Sequence, residues 1–340
     1  MFEKQIKIPD PEEILAQFPM PEKLKKIKAE RDKLVSDVIR GESDKLIIIV
    51  GPCSAHEEKP VLDYVERLGK LNEKVKDKLV LVPRIYTNKP RTRGVGYKGM
   101  FSQPDPTKSE DILKGITAIR RLNVKAIEAS GLTAADEMLY PANIHYVDDL
   151  LSYIAVGARS SENQLHRLVS SGVDVPVGIK NPMSGSILVM LNSIYAAQSS
   201  QVFKLNGWQV KTNGNPLAHA ILRGAVDGYG NDIPNFHYET VMQVAEGYAK
   251  SDLKCPAVII DANHSNSNKK FKQQIRICEE VMQNRQYDKD FKKLVKGFMI
   301  ESFIEEGNQT EDIVYGKSIT DPCLGWADTE RLLLDISEKV

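Results

Sequence analysis

The sequence predicts an α/β protein, a (β/α)8 TIM barrel preceded by an N-terminal extension. Eight apolar runs each end, at their C-terminal edge, next to a charged or metal-binding side chain. The segments between the runs carry apolar residues at helical spacing, as at positions 238, 241, 242, 245, 248 and 249. The chain has 340 residues, of which 41% are hydrophobic, which is enough for one large core and long loops. Strands that all deliver polar side chains to one face of a barrel are typical of an enzyme.

The predicted strands follow one another along the chain, and each precedes a candidate functional residue. The runs lie at residues 47–50, 79–82, 126–127, 154–156, 175–179, 220–222, 258–260 and 297–300. The side chains that follow them are, in order, Cys53, Arg84, Glu128, Arg159, Lys180, Arg223, Asp261 with His264, and Glu301. Eight strands that alternate with helices close more naturally into a barrel than into an open sheet. A doubly wound sheet is disfavoured, because Gly51-Pro52-Cys53 after the first run is not a glycine-rich nucleotide fingerprint.

Residues 1–44 form the predicted N-terminal extension, and residues 45–340 are assigned to the barrel. Four prolines between positions 9 and 21 divide the start of the extension into short segments. Glu22–Arg40 is then predicted to form a charged amphipathic helix ahead of the first strand. Two roles are open for the extension: a cap on the bottom of the barrel, or a subunit contact or regulatory arm.

Charge and cysteine content restrict the classes of function. The 46 basic and 46 acidic residues cancel, so no global positive field is available to hold a nucleic acid or an anionic membrane. The sequence contains no 18-residue apolar stretch and its N-terminus has no signal-peptide pattern, which predicts a cytoplasmic protein. Its four cysteines show no CxxC pairing and are too few to cross-link a chain of this length, so reduced thiols are expected.

Six cationic side chains are predicted to converge on the mouth of the barrel: Arg84, Lys89, Arg91, Arg159, Lys180 and Arg223. One lysine or arginine alone is more often part of a salt bridge, but six on one rim require anions as partners. The set indicates substrates with several anionic groups, phosphate plus carboxylate. In Lys89-Pro90-Arg91-Thr92 the proline stiffens the loop and the threonine adds a hydrogen-bond donor. Taken alone, this motif only weakly favours an anion-binding loop over a plain proline turn.

Four residues are candidate metal ligands: Cys53, His264, Glu301 and Asp321. No two of them have the spacing of a local metal motif, so the site is inferred only from their predicted position on one rim. A buried cysteine and a hydrogen-bonded core histidine are equally good interpretations of Cys53 and His264 taken singly. A mixed sulfur, nitrogen and oxygen set suits Mn, Fe, Co or Zn better than Mg or Ca, and would act as a Lewis acid.

These segments together resemble the metal-dependent type I alpha family of 3-deoxy-D-arabino-heptulosonate 7-phosphate (DAHP) synthases. The resemblance runs from about residue 40 to the end. The matching motifs are Gly51-Pro52-Cys53-Ser54, Lys89-Pro90-Arg91-Thr92, Gly157-Ala158-Arg159-Ser160-Ser161-Glu162-Asn163-Gln164, Pro176-Val177-Gly178-Ile179-Lys180-Asn181, Ile221-Leu222-Arg223-Gly224, Asp261-Ala262-Asn263-His264-Ser265-Asn266, and Tyr315-Gly316-Lys317-Ser318-Ile319-Thr320-Asp321.

The resemblance implies an activity and a role for each matching residue. Members condense phosphoenolpyruvate with erythrose 4-phosphate without a Schiff base, in the first step of the shikimate pathway. Cys53, His264, Glu301 and Asp321 look like the ligands of the divalent metal, with manganese favoured, and Lys89 looks like the proton donor to the aldehyde. The phosphoenolpyruvate clamp would comprise Arg84, Lys98, Glu137, Ala158, Arg159, Lys180 and Arg223. Arg91 and Thr92 look like the residues that bind the phosphate of erythrose 4-phosphate. The resemblance also implies a homodimer or homotetramer.

Three departures from the family pattern are predicted to matter. Residues 93–98 are one residue longer than in bacterial members, which bears on the assignment of Lys98. Residues 201–217 are too short for the small hairpin of feedback-regulated members. Asp174 stands where phenylalanine-sensitive members have a hydroxyl residue. The last two departures predict that binding of an aromatic amino acid is altered or absent.

Two rival functions are carried forward. The sister synthase that makes 3-deoxy-D-manno-octulosonate 8-phosphate uses the same barrel, but has Lys-Ala-Asn where this chain has Lys89-Pro90-Arg91-Thr92. A catalytically silent barrel that acts as a sensor is the rival from another class. Loss of a metal ligand or clamp residue would have favoured a silent barrel, and none is missing from the sequence.

Overall fold

The computed structural model describes residues 1–91, 93–310 and 314–340. Eight parallel strands form one sheet in the order β2-β1-β12-β11-β8-β5-β4-β3. Their bounds are β1 (Leu46–Gly51), β2 (Leu79–Pro83), β3 (Ala134–Glu137), β4 (Leu151–Val156), β5 (Val177–Lys180), β8 (His219–Leu222), β11 (Val258–Asp261) and β12 (Val295–Glu301). A parallel bridge between Arg84 and Ala135 links the two edge strands, so the sheet curls into a nearly closed barrel. The predicted fold class is confirmed.

Helices connect the strands and surround the sheet. Their bounds are α1 (Pro11–Gln17), α2 (Glu22–Arg40), α3 (Glu58–Val75), α4 (Ile112–Ser130), α5 (Gln164–Ser170), α6 (Ile187–Gln198), α7 (Tyr238–Lys250), α8 (Gln273–Tyr287), α9 (Lys289–Leu294) and α10 (Trp326–Lys339). The barrel strands are buried on both faces, which explains why they are continuous apolar runs in the sequence. Within the described residues, none of these helices combines the length and apolar character needed to cross a bilayer.

The third predicted strand is wrong. Residues 126–127 lie in helix α4, and Glu128 forms an ion pair with Lys23 on α2 at 2.9 Å. Ala126 and Ile127 are apolar because they lie on the buried face of α4, together with Ile116 and Ile119. The true third strand, β3, follows the left-handed glycine that ends α4, and its sequence Ala-Ala-Asp-Glu is too short and too polar to be found as an apolar run.

The predicted absence of a hairpin in residues 201–217 is also wrong. Strands β6 (Val202–Leu205) and β7 (Trp208–Lys211) pair antiparallel ahead of β8. Asn206 and Gly207 both have positive φ, 47° and 86°, as a two-residue hairpin turn requires. Two four-residue strands and this turn need only ten residues, so the segment is long enough. A second small hairpin, β9 (Ala225–Val226) with β10 (Asp232–Ile233), follows β8.

Helix α2 closes the N-terminal end of the barrel. Its residues Val35, Val38 and Ile39 are buried in one cluster with barrel-interior side chains that include Ile47 and Met299. The helix spans the predicted residues, Glu22–Arg40, and ends at Gly41 in the left-handed conformation. This packing agrees with the capping role. The boundary at residue 44 and a subunit contact by the extension remain predictions.

Candidate active site

The C-terminal ends of the barrel strands surround a cavity of about 310 Å³. Seven of the eight strand ends contribute lining residues, as expected for a barrel whose working residues lie on the C-terminal face. Predicted site residues that line the cavity are Cys53, Arg84, Lys89, Arg91, Glu137, Ala158, Arg159, Lys180, Arg223, His264 and Asp321. Glu301 lies directly beside this group, as the contacts below show. Thr92 lies outside the described residues, and the roles of all these residues remain predictions.

Three of the cations are buried and held in place by neighbours. The guanidinium of Arg84 lies 2.9 Å from Oε1 of Glu301 and 3.7 Å above the centre of the Tyr86 ring. Nζ of Lys180 lies 2.8 Å from Oδ2 of Asp261. Arg223 donates to Oγ of Ser265 at 2.9 Å. These groups are at most 4% exposed, so their charges point into the cavity from fixed positions.

Opposing effects act on the charges of these buried groups. Burial alone would lower the pKa of Arg84, but the Glu301 carboxylate holds that pKa above its usual value. Burial would raise the pKa of Asp261, but His264 and Lys180 hold that pKa well below its usual range. Burial lowers the pKa of Arg223, and Asp261 and Asp232 oppose this. The mouth of the barrel therefore contains ion pairs that stay charged at neutral pH.

Lys89 lies between two candidate metal ligands. Its ammonium is 2.7 Å from Sγ of Cys53 and 2.8 Å from Oδ2 of Asp321. Burial opposes its charge, but the Cys53 sulfur and the Asp321 carboxylate hold the pKa of Lys89 above the usual lysine value. Farther along the same loop, Arg91 donates from Nε to the backbone oxygen of Tyr97 at 2.8 Å, which fixes its side chain at the cavity edge.

The loop after β4 packs against Glu137 at the end of β3. A Cβ atom at Gly157 would lie 2.1 Å from Oε1 of Glu137, so a larger residue at this position would displace the loop or the carboxylate. Ala158 and Arg159 follow on the cavity wall, and Arg159 is exposed. The carboxylate of Glu137 and the guanidinium of Arg159 thus enter the site from adjacent strands.

Lys98 is the predicted clamp residue that the structure does not bring to the site. It does not line the cavity, and its ammonium forms an exposed ion pair with Glu110 at 2.5 Å. The substrate-binding role of Lys98 has no support in this arrangement.

Three of the four candidate metal ligands lie close together. The Sγ of Cys53 and carboxylate oxygens of Glu301 and Asp321 are all within 4.8 Å of one another. The register of β1 with β12, which pairs Gly51 with Glu301, places the Cys53 loop beside the Glu301 carboxylate. Nε2 of His264 lies 3.7 Å from Oε1 of Glu301. The four side chains therefore form one group of sulfur, oxygen and nitrogen donors.

The protonation of two of these ligands depends on their neighbours. Burial and the negative charge of Glu301 raise the pKa of the Cys53 thiol to about 11. Burial would raise the pKa of Asp321, but Lys89 holds that pKa below its usual value. A cation that took a place among these groups would favour the thiolate, which is the form that binds metals.

His264 is oriented by a residue that the sequence analysis did not include among the ligands. Nδ1 of His264 lies 2.8 Å from Oδ2 of Asp261, which leaves Nε2 facing Glu301. His264 has φ = 52°, in the left-handed region that a residue other than glycine rarely adopts. Asp261 lies at the end of the apolar run of β11, and this position in the sequence marks it as a candidate functional residue.

Other cavity residues had no such signal. They are Tyr86, Asn88, Met183, Asn263 and Lys269. Asn263 donates to Oε2 of Glu301 at 2.8 Å and so occupies the second oxygen of that carboxylate. Lys269 reaches the site because the backbone turns through positive φ at Asn268 and Lys269, 51° and 58°. Turns of this kind are not encoded by hydrophobic periodicity.

The whole arrangement matches a known family. Residues 20–334 match the model of the DAHP synthetase I family. The chain belongs to this family. The resemblance identified in the sequence is therefore confirmed.

Relatives in the DAHP synthetase I family align along nearly the whole chain. The phenylalanine-sensitive phospho-2-dehydro-3-deoxyheptonate aldolase of Escherichia coli K12 is 38% identical over 339 residues, covering 97% of this chain and 93% of that protein. The tryptophan-sensitive enzyme of Enterobacter agglomerans is 39% identical over 317 residues, covering 91% and 88%. The structure of phospho-2-dehydro-3-deoxyheptonate aldolase from Francisella tularensis SCHU S4 superposes with a TM-score of 0.92 at 29% identity, covering 100% and 98%.

Proposed function

We propose that this protein condenses phosphoenolpyruvate with D-erythrose 4-phosphate and water. The products are 3-deoxy-D-arabino-heptulosonate 7-phosphate and phosphate, and the reaction is the first step of the shikimate pathway. Membership of the DAHP synthetase I family supports this activity. The observation that carries the proposal is the cavity in which Arg84, Lys180 and Arg223 surround the Cys53–Glu301–Asp321 group.

The buried cations fit the first substrate. Phosphoenolpyruvate carries its phosphate and its carboxylate as substituents of the same carbon atom, and so needs several donors at fixed separation. Arg84, Lys180 and Arg223 supply charges that are held by Glu301, Asp261 and a serine hydroxyl, while Arg159 is exposed on the cavity wall. Since Lys180 is fixed in an ion pair, it acts as a charge, and no Schiff base is formed.

The donor group fits a divalent transition ion. One thiol, one imidazole and two carboxylates lie together, and the ammonium of Lys89 between Cys53 and Asp321 indicates that these donors accept a cation. We propose that Cys53, His264, Glu301 and Asp321 bind Mn2+, because this mixed set is too soft for Mg2+ or Ca2+. When bound, the ion would polarise the aldehyde carbonyl as a Lewis acid.

Lys89 is the proposed proton donor to the aldehyde oxygen. Carbon 3 of phosphoenolpyruvate attacks the aldehyde carbon, and the aldehyde oxygen takes a proton from the Lys89 ammonium. Water then adds at carbon 2 and loses one proton, which restores the Lys89 ammonium. The bond between carbon 2 and the phosphate ester oxygen breaks, the carbon 2 hydroxyl becomes the ketone, and its proton leaves with the phosphate. The fixed guanidinium groups of Arg84 and Arg223 stabilise the developing charge and the departing phosphate. Arg91 at the cavity edge would bind the phosphate of erythrose 4-phosphate.

Phosphate release tests the reaction and the metal site together. Purified protein is treated with a chelator and assayed with both substrates, then assayed again after Mn2+ is restored. Activity that is lost and then returns is the expected result. Activity that survives complete removal of metal contradicts the metal site, and no activity after metal is restored contradicts the reaction.

Two controls separate the rival functions. Arabinose 5-phosphate replaces erythrose 4-phosphate in a parallel assay, and preferential turnover of that sugar would favour the octulosonate synthase. Absence of turnover with either sugar would favour a silent barrel. The proposed homodimer or homotetramer is measured by light scattering on the same preparation.

A further inference from the structure

A second cavity, of about 600 Å³, lies at the opposite end of the barrel from the candidate active site. It is lined mainly by the loop between α2 and β1, by α9 and by the first residues of β12. This volume lies within the range of small-molecule sites. Nothing in the proposed reaction uses this end of the barrel.

The charge of this second cavity is strongly unbalanced. Its acidic lining residues are Asp44 and Asp290. Its cationic lining residues are Arg40, Lys45, Arg285, Lys289, Lys292, Lys293 and Lys296. The whole chain has no net charge, so the excess of cations is local to this face. A concave site of this kind concentrates anions.

The acidic residues nearby neutralise only part of that charge. Lys293 pairs with Asp290 at 3.2 Å, and Arg40 lies 3.9 Å from a carboxylate of its own helix. Among the residues that the structure describes, no carboxylate lies within salt-bridge distance of Lys289, Lys292 or Lys296. These three ammonium groups are therefore available to a ligand.

A buried arginine anchors the wall. Arg285 is 5% exposed, and its NH1 donates to the backbone oxygens of Lys292, at 2.8 Å, and Val295. It has backbone carbonyls as partners and no carboxylate within salt-bridge distance among the described residues, and burial lowers its pKa to about 10. Burial and the charge of Arg285 also lower the pKa of Lys296. An anion in the cavity would offset the desolvation of both groups.

We propose that this cavity binds a small molecule that carries two or more phosphate groups. Several separate ammonium groups on one concave wall match a chain of phosphates better than a single anion, because lysine acts as a compact point charge. Apolar side chains complete the wall at Ala245, Pro256 and Leu294 and provide a surface for the non-phosphate part of the ligand.

Calorimetric titration with inorganic triphosphate and with ATP tests this site. The test variant is Lys289→Gln/Lys292→Gln/Lys296→Met, which leaves the structural Arg285 in place. Lys25→Gln/Lys70→Gln is the control, since it removes two exposed lysines elsewhere on the surface. Binding at physiological ionic strength should weaken roughly tenfold or more in the test variant and stay unchanged in the control. No binding to the unchanged protein, or equal loss in both variants, overturns the proposal.

Binding at the active site must be separated from binding at this cavity. An Arg159→Gln variant weakens anion binding at the C-terminal mouth and should keep the titration signal that the lysine substitutions remove. A short DNA duplex that binds as tightly as triphosphate, with the same dependence on the three lysines, would show an unspecific basic surface and overturn the proposal. These readouts need no turnover, so their failure is distinct from failure of the proposed reaction.

Discussion

The two ends of the barrel both collect positive charge, but they hold it differently. At the C-terminal mouth Arg84 and Lys180 are buried and paired with Glu301 and Asp261. At the N-terminal end, Lys289, Lys292 and Lys296 have no carboxylate within salt-bridge distance among the described residues. Charges that are fixed by buried counter-ions lose little freedom when a reacting group arrives, which suits catalysis. Lysines without a fixed counter-ion tolerate ligands of different shape, which suits binding without chemistry.

Removal of one buried counter-ion should produce the largest effect. Glu301→Gln leaves the guanidinium of Arg84 buried without its carboxylate and removes one candidate metal donor. We expect phosphate release to fall roughly a hundredfold to a thousandfold, and the free energy of unfolding to fall by about 3–5 kcal/mol. Phosphate-release kinetics and urea denaturation measure the two effects.

The matched control breaks an exposed pair. Glu110→Gln removes the partner of Lys98 on the surface, where water screens the interaction. Activity and stability should stay unchanged. If Glu301→Gln behaved like this control, the claim that a buried counter-ion fixes Arg84 at the mouth would be wrong.

The steric fit at Gly157 should give the next largest effect. In Gly157→Ala the added methyl group meets Oε1 of Glu137 at 2.1 Å, so either the loop or the carboxylate must move. We expect kcat/KM for phosphoenolpyruvate to fall roughly a hundredfold, because Arg159 follows on the same loop. Gly228→Ala is the control, since nothing lies within 4 Å of a Cβ there.

A second substitution separates the clash from loss of function. The double variant Gly157→Ala/Glu137→Ala lacks the Glu137 carboxylate oxygen that clashes with the new methyl group. Its melting temperature should therefore recover, while its activity stays low. Wild-type kinetics in Gly157→Ala alone would show that the loop position does not matter.

A smaller effect, on the pH dependence of the free energy of unfolding, is expected from His219 in the barrel interior. Its Nε2 accepts a hydrogen bond from the Tyr153 hydroxyl at 2.7 Å, and its Nδ1 donates to the backbone oxygen of Leu217 at 2.8 Å. Burial lowers its pKa to about 4, so between pH 6.5 and 4 the unfolded state binds more protons. Acidification through that range should cost up to about 3 kcal/mol of unfolding free energy.

The comparison with His219→Gln isolates this contribution. Burial raises the pKa of Asp136 to about 7, and this group stabilises the fold as the pH falls, in the opposite sense. Both the unchanged protein and His219→Gln contain Asp136, so its contribution cancels in the difference between their unfolding free energies. Parallel curves for the two proteins from pH 6.5 to 4 would contradict the assignment to His219.

The fold was predictable because the barrel strands are buried on both faces and appear as continuous apolar runs. The exception is β3, whose sequence Ala134-Ala135-Asp136-Glu137 carries no such signal, while the inner face of α4 imitates one. Residues at strand ends were predictable for the same reason. Lys269 was not, because a tight turn with left-handed residues at Asn268 and Lys269 brings it to the cavity, and periodicity does not specify that turn. The dipeptide Asn206-Gly207 is a local signal for a hairpin turn. The judgement that residues 201–217 are too short for a hairpin led to the opposite prediction.

The β6–β7 hairpin removes one of the two grounds for the predicted loss of regulation, which now rests on Asp174 alone. Ser171, three residues earlier, contacts Thr212 at the base of the hairpin at 2.7 Å between hydroxyl oxygens, and Asp174 is exposed nearby in the sequence. A carboxylate at that position would repel the carboxylate of a free amino acid, whereas a hydroxyl would donate to it. We expect phenylalanine, tyrosine and tryptophan at micromolar concentration to leave phosphate release unchanged, and Asp174→Ser to gain inhibition by phenylalanine. Inhibition of the unchanged protein by any of the three would show that the carboxylate does not block the site.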